Sequence, residues 1–192
     1  LKDVFVAENA LVPGAQLGPK VKDAPLFRQP QWSTNPYSLA SAVVGGAQGA
    51  LDLYTQTIRD RKPRMGAAFN IAELQSIQMR IAESAAEIDC AKRAICGNLR
   101  EVHDTLIDRE DLPTDLMVRN RRDLAYVCLL AKRAIDRIFY ASGAQSIYLD
   151  NDMQRFFRDV NSGAQQIFLD WDMHATTFGR AALDLDVSNT RW

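Results

Sequence analysis

The chain has 192 residues, of which 47% are hydrophobic and 24% are charged, and its formal net charge at pH 7 is -1. This length and composition predict one globular domain with a full core, not a disordered chain. The small net charge gives no reason to expect nucleic acid as a partner, and no apolar run approaches the roughly 20 residues that cross a membrane.

Residues 1–34 are predicted to form an N-terminal strand and an extended arm. Residues 4–6 (Val-Phe-Val) are a short strand-like run, and the stretch after them is interrupted by Gly18, Pro19, Pro25 and Pro30. Such residues punctuate loops, so the stretch predicts an extended connector and not a helix. The first residues contain neither an initiator methionine nor a signal peptide, which indicates the middle of a longer protein.

Residues 35–192 are predicted to form a helical bundle domain. Its first helix is expected over residues 36–60, with Asn35 as the N-cap and Pro36 at the first helical position. Three glycines lie near the middle of this helix, namely Gly45, Gly46 and Gly49. Each costs about 1 kcal/mol relative to alanine, so they predict the close approach of another backbone.

A second helix is predicted over residues 70–109, because apolar side chains recur there with a near-heptad period. The predicted stripe consists of Leu74, Ile81, Ala85, Ile88, Ile95, Leu99, Val102 and Leu106. Such a rod would be roughly 60 Å long at 1.5 Å per residue. That length exceeds one small core and indicates packing across subunits.

A third helix is predicted after Pro113, with one apolar face formed by Leu124, Val127, Ala131, Ala134 and Ile138. It is expected to stop at Ser142 and Gly143, and a final helix is predicted over residues 152–183. On one continuous helix Gln166, Asp170 and His174 would form a polar line along a single face. The predicted fold is all-α, an up-and-down four-helix bundle with an extended N-terminal arm.

The cysteines do not follow a metal-binding spacing. Cys90, Cys96 and Cys128 contain no C-x-x-C pair, and an odd number argues against a disulfide framework. They predict buried, reduced thiols in a cytoplasmic protein. Because His103 and His174 are the only histidines, no metal site is expected.

Four passages resemble the C-terminal domain of the acyl-CoA dehydrogenase superfamily, in its flavin-dependent, two-component (group D) monooxygenase branch. They are residues 3–13, 46–54, 80–91, and 140–144 together with 155–159, and they occur in the family's order. The resemblance implies that an N-terminal helical domain and a β-barrel precede this bundle in the complete protein. It also implies that the bundle is a tetramerisation core and that flavin lies between barrel and bundle.

The resemblance further suggests which residues contact the cofactor. Arg59, Arg61 and Arg64 fall where the family's turn between helices offers cations to the cofactor phosphates of a neighbouring subunit. Arginine suits phosphate because its planar fork can bind two oxygens; a solvated basic turn is the alternative. Ser142, Gly143 and Ala144 fall where the family places a tight turn near the cofactor.

The predicted final helix also carries the candidate catalytic residues. In common acyl-CoA dehydrogenases a glutamate of this helix removes the substrate α-proton, and that position falls on Ile167, which cannot take a proton. In many of the hydroxylases the preceding position is histidine, and here it is Gln166, which can form hydrogen bonds but cannot act as a base. Gln166 and Asp170 are the candidates, with a plain polar surface as the alternative. His174 is expected to be a packing or surface histidine.

The resemblance implies the C-terminal domain of a monooxygenase that hydroxylates an aromatic or related small substrate with reduced flavin, FMN or FAD, and O₂. A separate flavin reductase would supply the reduced flavin. The alternatives are an acyl-CoA dehydrogenase-like oxidoreductase with its base elsewhere, or a non-catalytic helical oligomerisation domain. We expect a homo-oligomer, dimer or tetramer, and we expect this chain alone not to retain flavin.

Overall fold

The computed structural model describes residues 4–5, 7, 24–59, 61 and 70–187, and the described residues form helices and no β-strand. The α-helices are α1 (Pro25–Arg28), α2 (Gln31–Arg59), α3 (Gln75–Asp108), α4 (Thr114–Ser142), α5 (Asp152–Gly163) and α6 (Trp171–Ala182). Short 3-10 helices lie at Ile71–Glu73, Ala144–Ile147 and Ile167–Leu169. The prediction of an all-α protein is therefore confirmed.

Helices α3 and α4 run antiparallel, and the ion pairs between them show it. Arg119 of α4 pairs with Glu101 of α3, and further along α4 the guanidinium of Arg137 pairs with Glu87 at 2.7 Å. Residue numbers rise on α4 as they fall on α3, which is the up-and-down arrangement. Helices α2, α3 and α4, with α5 and α6 as a broken fourth helix, form the predicted four-helix bundle.

Helix α3 buries one narrow stripe with a seven-residue period, which is typical of helices packed in bundles. Its buried residues are Ile77, Ser84, Ile88, Ala91, Ile95, Asn98, Val102 and Leu106. Leu74 and Leu99 of the predicted stripe are exposed instead. Asn70 caps the 3-10 turn before α3, so the α-helix has 34 residues and is roughly 50 Å long, shorter than predicted.

Helices α2 and α5 approach each other through glycines. A β-carbon built on Gly46 would lie 2.9 Å from Val160, and one on Gly49 would lie 2.7 Å from the Phe156 ring. From the other side, a β-carbon on Gly163 would lie 2.8 Å from Val43. These distances are too short for real carbon atoms, so the packing requires glycine. The atoms nearest to these glycines belong to side chains, so the glycines make room for side chains of the facing helix and not, as predicted, for its backbone.

The predicted start of the first helix is wrong. Helix α2 begins at Gln31 and continues through Pro36, which lies inside the helix and is buried, so Asn35 is not its N-cap. Proline removes its own helical hydrogen bond and its ring crowds the carbonyl four residues earlier, but burial of Pro36 and of the neighbouring Tyr37 side chain favours continuing the helix. The arm predicted over residues 1–34 is likewise not extended throughout, since α1 lies within it. Val4 and Phe5 are exposed, and the rest of the predicted strand lies outside the described residues.

The prediction of one continuous final helix is also wrong. Helix α5 ends at Gly163, a turn with a short 3-10 helix follows, and α6 begins at Trp171. The side-chain oxygens of Gln166 and Asp170 accept hydrogen bonds from backbone N–H groups two and three residues further on. A side chain that satisfies these groups starts a new helix, because the first N–H groups of a helix have no partner within it.

The cysteine prediction is partly wrong. All three thiols are free, but only Cys128 is buried, whereas Cys90 and Cys96 are exposed on α3. Burial raises the pKa of the Cys128 thiol to about 12. Among the described residues no group of histidine, cysteine and carboxylate side chains is arranged to hold a metal ion, and none of the described helices is long and apolar enough to cross a membrane.

The glycine contacts lead to a prediction with an internal control. Gly49→Ala should lower the free energy of unfolding by about 1–3 kcal/mol, because the added methyl group collides with the Phe156 ring. Gly45→Ala should instead raise it by about 0.5–1 kcal/mol, since nothing lies within 4 Å of that position and alanine favours the helix. Denaturant unfolding followed by circular dichroism measures both changes. Equal effects of the two substitutions would contradict the close packing.

Candidate functional site

A groove of about 480 Å³ lies where the end of α2 meets the segment that follows α4. Its walls combine polar and apolar side chains from α2, from the loop after α4 and from the start of α5. The groove is lined by Leu53, Tyr54, Thr57, Ile58, Arg61, Ser142, Gln145, Tyr148, Asp150, Asn151, Asp152 and Met153.

Arg61 and the turn after α4 are in direct contact at one wall of this groove. An Nη1–H of Arg61 donates to the carbonyl of Ser142 at 3.1 Å, and Nη2 lies beside Gly143, 3.5 Å from where a β-carbon would be. Gly143 has φ 83° and ψ 177°, a conformation that is essentially restricted to glycine. The guanidinium thus neutralises the carbonyl end of α4, which carries partial negative charge.

The structure brings together three of the residues predicted to contact the cofactor. Arg61, Ser142 and Gly143 form one cluster, and Ala144 follows as the exposed first residue of the next 3-10 helix. Arg59 ends α2 with an exposed side chain, and its carbonyl accepts from Asn70 at 3.1 Å. Arg64 lies outside the described residues.

The charges of the groove suit one anionic group at one end. The Arg61 guanidinium has five N–H donors and uses one of them on Ser142, so further donors can reach a phosphate. Burial raises the pKa of the Tyr54 phenol at the same wall, and Arg80 and Arg61 partly oppose that rise. Asp150 and Asp152 line the groove elsewhere and would repel an anion there. A phosphate therefore fits beside Arg61, and a neutral or hydrogen-bonding group fits beside the carboxylates.

A second candidate region is the turn between α5 and α6, which contains Gln166 and Asp170. Gln166 Oε1 accepts from Phe168 N–H at 2.6 Å, and Asp170 Oδ1 accepts from Met173 N–H at 2.7 Å. The two side chains cap successive short elements and are not neighbours on one helix face. The predicted polar line through Gln166, Asp170 and His174 is therefore wrong, because the helix on which it depends is interrupted.

His174 is buried beneath this turn, as expected for a packing histidine, with 4% of its surface exposed. Its Nε2–H donates to the carbonyl of Phe168 at 3.0 Å. Burial and the nearby Arg121 guanidinium lower the pKa of His174 to about 4, against weaker opposing effects of the Phe168 carbonyl and Asp170. The imidazole is therefore neutral near pH 7.

Arg121 is a functional candidate that the sequence did not reveal. It lies on α4 with 3% of its surface exposed, and its guanidinium carbon is 5.4 Å from the centre of the Phe168 ring. Burial lowers the pKa of Arg121 to about 10. In the sequence Arg121 belongs to an Arg-Asn-Arg-Arg run, which is typical of a solvated face. The apolar residues Val118 and Leu124, three positions away on each side, were the available signal that Arg121 lies on the buried face of α4.

The helical bundle formed by the described residues belongs to a known class of C-terminal domain. Residues 37–171 match the family described as "Acyl-CoA dehydrogenase, C-terminal domain", and the chain belongs to this family.

Similar proteins lie in the monooxygenase branch. The chain is 27% identical over 203 residues to the oxygenase subunit HsaA of a flavin-dependent monooxygenase from Rhodococcus jostii RHA1, covering 99% of this chain and 51% of that protein. It is 30% identical over 171 residues to HsaA from Mycobacterium tuberculosis, covering 84% and 43%. It is 29% identical over 168 residues to the oxygenase component of an FADH₂-dependent resorcinol hydroxylase from a Rhizobium species, covering 84% and 41%. The chain thus spans about half the length of these relatives.

Solved structures agree with this placement. The crystal structure of 3-HSA hydroxylase from Rhodococcus sp. RHA1 superposes with a TM-score of 0.80 at 28% identity, covering 90% of this chain and 45% of that one. XiaF from Streptomyces, solved with FADH₂ and glycerol, gives a TM-score of 0.85 at 24% identity, covering 100% and 50%. At that lower identity the likeness to XiaF shows the fold alone.

The buried histidine predicts a specific pH dependence of stability. The folded state keeps His174 neutral down to about pH 4, whereas the unfolded chain protonates it near its ordinary pKa of 6.5. The unfolded state therefore binds more protons between these values, and stability that is complete above pH 6.5 is lost as the pH falls towards 4. The loss attributable to this group is at most about 3 kcal/mol.

His174→Gln is the matched control, since glutamine keeps a nitrogen donor at the same reach and does not titrate. Denaturant unfolding at several pH values between 7 and 4 should show a smaller loss for this variant than for the parent. The same pH dependence in both proteins would rule out His174 as its source.

Proposed function

We propose that the protein is the oxygenase component of a two-component, flavin-dependent monooxygenase that hydroxylates a small aromatic substrate, most simply a phenol. This chain would be its C-terminal domain, facing the flavin and the substrate. The similarity over 84–99% of the chain to oxygenase subunits and components, one of them a resorcinol hydroxylase, carries the proposal. These relatives favour it over a dehydrogenase and over a non-catalytic oligomerisation domain.

The turn between α5 and α6 supports the same choice. Ile167, at the position of the dehydrogenase glutamate, is 65% exposed and has no group that could remove a proton. An isoleucine at that place suits an apolar ring better than proton removal next to a thioester. If the protein were a dehydrogenase, the residue that removes the substrate proton would have to lie on another helix or loop.

We further propose that Arg61, Ser142 and Gly143 hold a phosphate of the flavin; the contribution of Arg59, Arg64 and Ala144 stays a prediction from the sequence. The support is the contact of Arg61 with the turn and the glycine-only backbone at Gly143. Reduced flavin, when bound, supplies the electrons with which O₂ is activated. FAD is favoured over FMN, because one relative is named as FADH₂-dependent.

The proposed partners follow from the same assignment. A separate flavin reductase would deliver the reduced cofactor, and the protein would act in the cytoplasm. We propose a homo-oligomer, a dimer or a tetramer, consistent with exposed apolar side chains such as Met79 and Tyr140. The chain alone would bind flavin weakly, because Arg61 is the one cation among the described residues that line the groove.

The proposed function is tested with the full-length protein that carries this chain, supplied anaerobically with reduced FAD and a panel of phenols that includes resorcinol. Admission of O₂ should yield a hydroxylated product, detected by mass spectrometry, for at least one phenol. In the same protein Arg61→Met should raise the dissociation constant of reduced FAD roughly tenfold to hundredfold, since it removes a charge-assisted hydrogen bond.

Arg133→Met is the control for the cofactor site, because Arg133 is an exposed arginine of α4 that does not line the groove. Its flavin affinity should equal that of the parent. Oxidation of acyl-CoA thioesters without any phenol hydroxylation would favour the dehydrogenase alternative. Unchanged flavin affinity in Arg61→Met would remove Arg61 from the proposed site.

For catalysis we propose that Asp170 accepts the substrate proton in addition to capping α6. Asp170→Asn tests this role cleanly, because asparagine caps a helix as well as aspartate does but carries no carboxylate. Hydroxylation should slow by about 10²–10⁴-fold, or hydrogen peroxide release should rise, with little change in the free energy of unfolding. Gln166→Ala should act in the same direction but more mildly.

Asp170→Ala separates the two roles, since it removes the cap as well and should cost about 1 kcal/mol of stability. Rapid-quench kinetics and peroxide assays measure the chemical effect, and denaturant unfolding measures the structural one. If Asp170→Asn hydroxylates at the parental rate with unchanged coupling, Asp170 is only a helix cap.

A further inference from the structure

The turn at residues 164–170 is held from beneath by two side chains that the proposed chemistry does not use. His174 Nε2–H donates to the Phe168 carbonyl, and Arg121 lies against the Phe168 ring. The two groups come from different helices, α6 and α4, and both are almost fully buried. The turn is thus attached to the bundle at the Phe168 carbonyl and at the Phe168 ring.

These contacts divide the side chains of the turn into those that face the core and those that face outward. Leu169 is buried in the main core, and Phe168 is partly buried under Arg121. Ile167, between Gln166 and Phe168, points the other way and is exposed. Successive side chains of a 3-10 helix lie about 120° apart, so the burial of Leu169 and the contacts at Phe168 leave Ile167 as the side chain that is presented.

Arg121 and His174 are unusual residues for a part of the core whose role is packing alone. A buried arginine is costly, and an aliphatic side chain of similar volume would pack there at lower cost. The neutral imidazole beside it is the form that tolerates a neighbouring cation and still donates to the Phe168 carbonyl. Both side chains thus contact Phe168 directionally, through its carbonyl and its ring face, which an aliphatic side chain would not do.

We propose that His174 and Arg121 are positioning residues that fix the turn so that Ile167 forms an apolar wall against the aromatic ring of the substrate. This inference rests on the proposed function, because the substrate wall has a meaning only in the oxygenase. It assigns a substrate contact to Ile167 and a supporting role to a histidine that touches neither flavin nor substrate.

The first part of the test concerns the support and does not depend on activity. In the full-length protein His174→Leu should speed the hydrogen exchange of backbone amides in residues 166–170 by at least about tenfold, and His174→Gln should restore slow exchange. Unchanged exchange in His174→Leu would overturn the inference. If the leucine variant does not fold, faster exchange confined to this segment in Arg121→Met supports it, and its absence overturns it.

The second part concerns the substrate wall. Ile167→Ala should raise the KM of the phenol that the parent hydroxylates by roughly tenfold, with kcat much less affected and flavin affinity unchanged. Ile107→Ala is the matched control, since Ile107 is an isoleucine of α3 with 59% exposure and should leave KM unchanged. His174→Leu should raise KM and peroxide release together, and His174→Gln should reverse both changes.

The outcomes separate the two proposals. A parent protein that hydroxylates no phenol would overturn the proposed function and with it the substrate contact of Ile167. A parent that hydroxylates a phenol, with KM the same in Ile167→Ala, would overturn this inference and leave the proposed function standing.

Discussion

The rest of the structure depends on the close contact between α2 and α5. Gly46 and Gly49 on one helix and Gly163 on the other let Val160, Phe156 and Val43 fill the space that β-carbons would occupy. Because α5 ends at Gly163, this contact determines where the chain leaves the bundle and where the turn begins. The position of Gln166, Ile167 and Asp170 therefore depends on how closely α5 packs against α2, and not only on the polar residues themselves.

Helix α4 organises the second half of the domain through cations placed on aromatic rings. Arg122 lies 4.0 Å from the centre of the Phe178 ring, and Tyr126 packs against Trp171 with ring centres 5.4 Å apart. Together with Arg121 and Phe168 these contacts attach α6 and the preceding turn to α4. Cation–π contacts stabilise by about 0.5–2 kcal/mol each, which is enough to orient a short helix that buries few apolar residues of its own.

The sequence allowed much of the fold to be predicted, and its errors have physical causes. The long helices α3 and α4 carry strongly periodic apolar residues, and the stop at Gly143 is a glycine whose positive φ other residues avoid. The final helix was predicted as continuous because residues four apart also fit a helix face. Asp170, an N-cap residue before Trp-Asp-Met, was the available signal for a new helix start.

The pairing of Arg61 with Ser142 joins residues 81 apart in the chain, which local patterns cannot reveal. For Arg61, Ser142 and Gly143 only the family resemblance indicated a common site.

The unequal burial of the three thiols has a practical consequence for measuring motion in the bundle. Cys90 and Cys96 are accessible on α3, while Cys128 on α4 is enclosed by the core. A thiol reagent should modify the first two rapidly in the native protein, whereas the third becomes reactive only when α4 separates from its neighbours. The rate of that slow modification reports the opening free energy of the core helix. The molecule therefore contains its own probe of local unfolding, about two helical turns along α4 from Arg121, the cation that supports the turn.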